Sequence, residues 1–280
     1  FALSISGGAA TLSSSTPTSI SISGNVYTLG IGLSGIANGS ETLTVTPVDN
    51  GIYDAAGNEA STSQSNNTAS LAAIGESLSF DGVDDYVQVA DHSSLDITNE
   101  LTIASWVNPD SYDGTILAKR DFSGGERTNY HSWVDASGYI GFEFNYGNSA
   151  KGTATSVATI PTNSWSHVAI TYDQQNIKIY INGELNKTVQ ETDDLTPNNN
   201  VLSIGRVIRE SNSNFQEFDG NLDEVSIWNK ALTAAEITAL YNSSVALDAL
   251  SNSGDYASSD SLKGYWKMEE GTGTTLTDLS

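Results

Sequence analysis

From Leu101 onward the chain repeats one pattern, a short run that is apolar on alternate positions followed by a turn. LTIASWVNP, DGTILAK, YIGFEFNY, SWSHVAITYD, NIKIYING and VLSIGRV all have it. Alternation with a period of two places successive side chains on opposite faces of a strand, so each run reads as a strand with one buried face. Asp135 to Gly138 and Asn182-Gly183 carry the residues that tight hairpin turns require. The pattern therefore predicts an all-β, antiparallel sandwich. Only TAAEITALYN, Thr233 to Asn242, has helical character, with Thr233 as N-cap and Glu236 three residues on to complete a capping box. One short helix after many strands excludes an α/β architecture.

The first 70 or so residues have a different texture. SISISGNVYTLGIGL and ETLTVTPV alternate in the same way, but they are built from Ser, Thr and Gly with Gly-Asn turns, as in antiparallel strands of a second, smaller sandwich. The polar stretch Ser61 to Thr68 reads as a linker.

Charge narrows the range of partners. Among 280 residues, 34 Asp and Glu face 11 Lys and Arg, a formal charge of -23. That field repels nucleic acid and anionic membrane, and it collects divalent cations. The absence of Cys excludes disulfides, thiolate metal sites and Cys nucleophiles. No run approaches the roughly 20 apolar residues of a membrane-spanning helix.

The ordered set FDGVDDYVQV, LTIASWVNP, ILAKRD, SWSHVAITYD, IKIYINGEL, LSIGR and FDGNLDEVSIWNKALTAAEI resembles the LamG-like jelly-roll domains of the concanavalin A-like lectin and glucanase superfamily. The resemblance implies a jelly-roll sandwich over residues 74–247. DNGIYDAAGNEASTSQSNNTASL resembles the last strands of bacterial immunoglobulin-like repeats, which makes residues 1–72 the C-terminal part of such a repeat. SLKGYWKMEEGTGTTLTDLS, Ser261 to Ser280, resembles the opening strand of a second jelly roll, so residues 248–280 read as linker and first strand. The alternative is that this tail pairs with the complete domain as an extra strand. The whole then looks like part of a large secreted or surface protein of a bacterium.

Two Phe-Asp-Gly turns, at the start and end of the domain, bring acidic residues to its terminal strands. Calcium takes six to eight oxygens from carboxylates and carbonyls. The expected structural calcium site is Asp81 and Asp84 from the first turn with Asp219 and Asp223 from the last; in this family such a site commonly ties the terminal strands together. Asp81 and Asp219 also suit simple turn capping. His92, His131 and His167 have no zinc-binding spacing.

Sugar recognition needs aromatic platforms and planar hydrogen-bonding groups on one face. Lys119 to Trp133 is the least regular stretch, and the expected ligand-binding set is Arg120, Tyr130, His131 and Trp133, with Asn145, Tyr146 and Arg206. Laminarinase-type relatives carry two Glu on one strand, as a retaining glycosidase requires. Here Asp223 and Glu224 are adjacent, which strand alternation sends to opposite faces, and Glu143 stands alone. No Ser-His-Asp set or GxSxG elbow occurs. The expected function is a non-catalytic, calcium-stabilised, carbohydrate- or surface-binding module of an extracellular bacterial adhesin-like protein, monomeric, with a glycan or cell-surface ligand as partner alongside other domains of its own chain. The alternatives are a passive spacer in a repeat array and an accessory module of a polysaccharide-degrading enzyme.

Overall fold

The structure is a computed structural model. It describes residues 1–8, 10–23, 26–34, 41–53, 56–70, 77–121, 127–146, 150–207, 216–242, 246–270 and 272–280, apart from the side chains of 23, 26, 70, 121, 127, 145, 146, 150 and 151. The chain divides into two compact units, residues 1–75 and 76–280.

In the first unit, β1 (Ala2–Ser6), β6 (Thr42–Thr46) and β7 (Thr68–Ser70) form one sheet. The strands β2 (Thr11–Leu12) and β5 (Leu33–Ser34) pair, as do β3 (Ser19–Ser23) and β4 (Val26–Gly30). Its described core is small, with Leu3, Ala10 and Leu43 buried, while Ile20 and Ile22 of β3 are exposed. Asp54, in the turn expected to resemble an immunoglobulin-like repeat, lies outside the described residues.

The second unit is the sandwich that the alternation predicts. One sheet contains β17 (Glu184–Gln190), β16 (Asn176–Ile181), β15 (Ser166–Tyr172), β10 (Leu101–Pro109), β19 (Asp219–Trp228) and β20 (Leu262–Trp266) in that order, with β8 (Leu78–Asp81) also paired to β19. The other runs β14 (Ala150–Thr159), β13 (Tyr139–Tyr146), β12 (Arg127–Val134), β11 (Gly114–Asp121), β18 (Leu202–Ile204) and β9 (Val87–Val89). Every pairing is antiparallel. Between the sheets lie the apolar alternates, among them Ile103, Val107, Ile140, Phe142, Phe144, Ile170, Leu222, Val225 and Ile227. The helix α1 (Ala234–Tyr241) starts with the expected capping box: Thr233 Oγ1 accepts the Glu236 N–H, and Glu236 Oε2 accepts the Thr233 N–H. Among the described residues no helix is long and apolar enough to cross a membrane.

The tail does not stand apart. β20 pairs with the second half of β19, Val225 opposite Trp266 and Trp228 opposite Leu262. β8 pairs with the first half, Asp81 opposite Asp219 and Leu78 opposite Leu222. Trp266 and Met268 enter the main core. Leu262 and Tyr265 join Trp228, Leu232, Ile237, Leu240 and Tyr256 in a second apolar cluster. The reason is burial: a strand with aromatic residues on both faces finds apolar surface on each side of β19's open edge. Leu262–Trp266 is thus an added strand of this sheet, within the compact unit of residues 76–280.

Candidate functional site

The site grows from three neighbouring strands. In β13, Ile140, Phe142 and Phe144 point into the core, so Gly141 and Glu143 point away from it. The register sets Glu143 opposite His131 and Gly141 opposite Trp133 on β12, and His131 opposite Ala118 on β11. One face of the sheet therefore gathers Arg120, His131, Trp133, Gly141 and Glu143. Arg120 Nη1 donates to Glu143 Oε1 at 2.5 Å, and the two side chains are 7% and 12% exposed. His131 Nδ1 lies 3.5 Å from each partner, and its Nε2 lies 3.2 Å from Thr115 Oγ1. The His131 and Trp133 rings sit 4.8 Å apart at 31°. A nearly closed ion pair beside a partly exposed indole offers an aromatic plane flanked by directional polar atoms, with little net charge of its own.

Other expected ligand residues fall elsewhere. Tyr130 is fully buried, and its hydroxyl donates to the Leu95 carbonyl at 3.1 Å, so it belongs to the core. Burial holds that hydroxyl far above its ordinary range. Alternation along β12 already sets Tyr130 with Val134 on the core face, opposite to His131 and Trp133. The side chains of Asn145 and Tyr146 lie outside the described residues. Arg206 is engaged with Tyr86, its guanidinium carbon 3.2 Å from the ring centroid. Sequence reasoning left out Glu143, read as a lone acid; the alternation that buries Phe142 and Phe144 is the signal that aims it at Arg120.

The expected calcium ligands separate in the same way. Asp81 and Asp219 face each other across β8 and β19. Carboxylate oxygens of Asp81, Asp84 and Asp85 lie within 4.8 Å of one another, all on exposed residues. Asp81 Oδ1 already accepts the Val83 and Asp84 N–H groups, at 2.9 and 3.3 Å, and Asp85 Oδ2 accepts the Asp81 N–H. Those turn bonds hold the Asp81 carboxyl below its usual range. This corner therefore fits turn capping as it stands.

Asp223 is not in that corner. It sits farther along β19, opposite Trp106, and is fully buried. Here the alternation breaks: Ala104 pairs with Ser226 but Trp106 with Asp223, so Glu224 and Val225 share the space opposite Ser105. Glu224 takes the left-handed conformation, φ 51°, that a bulge of this kind normally gives to Gly. The expected placement on opposite faces fails because of this bulge. Both carboxyls come within range of Lys267 and Glu269. Burial, then the neighbouring Glu224, pushes Asp223 up to about 8. Burial pushes Glu224 up to about 7, opposed by the hydrogen bond it accepts from the Tyr265 hydroxyl.

Residues 81–238 match the family model described as the concanavalin A-like lectin/glucanases superfamily. The chain belongs to this superfamily. No curated protein matches it in sequence. Among solved structures, a superfamily-like sandwich is seen in a protein from Bacteroides ovatus proposed to bind carbohydrate. It has 22% identity and a TM-score of 0.55, over 96% of this chain and 74% of that one. The heptameric SAP-like pentraxin of Limulus polyphemus aligns at 17% identity and a TM-score of 0.48, over 61% of this chain and 84% of its own. The superfamily's sandwich is thus the scaffold, and the face holding Arg120 and Trp133 is what this chain builds on it.

Proposed function

We propose that the sandwich is a non-catalytic carbohydrate-binding module of an extracellular, multidomain bacterial protein. The observation that carries this reading is the outward face of β11, β12 and β13, where Arg120, His131, Trp133 and Glu143 form one hydrogen-bonded aromatic cluster. A sugar presents a C–H face and rigid diols; the indole matches the first, and the guanidinium, imidazole and carboxylate match the second. The Bacteroides ovatus protein of similar fold is proposed to bind the same class of ligand. The non-catalytic part rests on the carboxylates. A retaining glycosidase holds two acids about 5 Å apart across the scissile bond. Glu143 is bound to Arg120, and the acidic pair on β19 lies on the other sheet beneath Tyr265.

The test is a glycan array probed with the whole chain and with Trp133→Ala and Arg120→Ala, each checked for unchanged circular dichroism. Binding to a defined set of glycans that both variants lose supports the module. A blank array, or binding that both variants retain, sinks it and leaves the spacer.

A further inference from the structure

We infer that the open edge of β8 takes an added β-strand from a protein partner, an extended segment with apolar side chains at alternate positions and Lys or Arg between them. This stands independently of the carbohydrate reading.

The two sheets end differently on their two sides. On one side β14 closes onto β17, where Asn186 Oδ1 accepts the Val157 and Ala158 N–H groups at 2.7 and 3.3 Å. On the other side a cavity of about 690 Å³ lies between β8, β9 and residues 266–278. Every residue of 77–80 and of 85–90 lines it. One face of a strand shows only alternate residues, so an unbroken run means that the cavity meets both strands at their edges, where peptide groups need partners. Its apolar floor is made by Leu78, Val87, Val89 and Leu276, half-buried side chains at the margin of the main core.

Hydrogen bonds decide which edge is open. Gly82 N–H donates to the Phe218 carbonyl at 3.1 Å, and the Asp219 carbonyl turns the other way to accept the Asp110 N–H at 2.9 Å. The even-numbered peptide groups of β8 therefore face β19, and alternation leaves those of Ser79 facing outward. The Asp81 N–H, on the same side as Ser79, already donates to Asp85 Oδ2 at 3.1 Å. Beside β20 the outer edge is covered: the chain returns past Met268, Leu279 N–H donates to the Tyr265 carbonyl at 2.9 Å, and Tyr265 N–H donates to Asp278 Oδ1 at 3.0 Å. Among the described residues no strand pairs with the outer edge of β8. Residues 78–80 also lack the Lys or Pro that commonly guards such an edge. A strand laid there continues the line of the returning segment and rests its inward side chains on the apolar floor. The partner's charge follows from the lining, which includes Asp85, Glu270 and Asp278 and neither Lys nor Arg. Main-chain bonds then supply affinity, and the alternate side chains supply selectivity.

The test uses the full chain and an N-acetylated, C-amidated octapeptide of alternating Lys and Val, with calorimetric titration and hydrogen exchange over residues 77–81 as readouts. The expected result is saturable binding with slowed exchange at Ser79. Affinity should be at least tenfold weaker in Ser79→Pro, whose ring replaces the outward N–H, and in Glu270→Lys. Glu270 is exposed, so its variant keeps the proposal falsifiable should Ser79→Pro fail to fold. A control peptide N-methylated at every residue has the same side chains and charge but no backbone donor, and it should leave exchange unchanged. Protection of residues 77–81 by both peptides, or by neither, overturns the assignment. So does protection that rises with protein concentration alone, together with a dimer mass by light scattering; a second copy of the chain would then be the occupant.

Discussion

Trp133 occupies the space that a side chain at Gly141 would need: a Cβ built there comes within 2.2 Å of the indole Cε2. The two residues face each other across β12 and β13. Gly141→Ala must therefore displace the indole at an overpacking cost of about 1–3 kcal/mol. The expected outcome is a shifted tryptophan fluorescence spectrum and a glycan affinity lowered more than the loss of stability accounts for. Titration of the variant with any array hit checks both.

Lys119 is fully buried, with Nζ 2.6 Å from Asp91, 3.2 Å from Asp96 and 2.7 Å from the Asn200 carbonyl. Taking away one member of a buried ion cluster leaves its partners unneutralised. Lys119→Ala is expected to destabilise the sandwich by about 3–5 kcal/mol. Asp91→Asn, which leaves Lys119 the other two oxygens, should cost less. Urea unfolding of both variants measures the difference.

His167 is buried beside Trp106 and Tyr241, and burial lowers its pKa to about 4. The unfolded chain takes up a proton near 6.5, before the folded one does. The stability it confers is thus present above pH 6.5 and lost as pH falls through 4, to a total of at most about 3 kcal/mol. Denaturant midpoints at pH 7.5 and 4.5 should diverge more in the wild type than in His167→Gln. Equal divergence would show that other groups set the acid limb.

The tail is expected to belong to the sandwich's stability. Trp266→Ala empties a large site in the main core and should cost about 3–5 kcal/mol, read as a lower single melting transition. Were the tail an independent element, the main transition would not move.

These cases show what the alternation carries and where it stops. Ile140, Phe142 and Phe144 reveal both the core face of β13 and, by exclusion, the outward direction of Glu143. The cap at Thr233 was legible because it is local. Asp223 and Arg206 were not, whereas the core position of Tyr130 follows from its alternation with Val134. Asp223 lies beside a bulge, where one extra residue resets every later position, and nothing in the local sequence marks a bulge whose left-handed residue is Glu224 rather than Gly. Arg206 is set by a tertiary neighbour, Tyr86, distant in the chain. The docking of the tail is also long-range, since its aromatic residues suit a core in any sandwich of this kind.

β8 and β20 lie end to end along a single edge of β19, one on each half. Their facing ends are Leu78 and Trp266, so tension applied through the chain at these two points enters the domain at neighbouring places. Such a load peels each strand from β19 one hydrogen bond at a time instead of shearing a whole ladder at once. Under pulling, the sandwich should open first along that seam, at low force, with the β10–β15–β16 ladder and its core still in place.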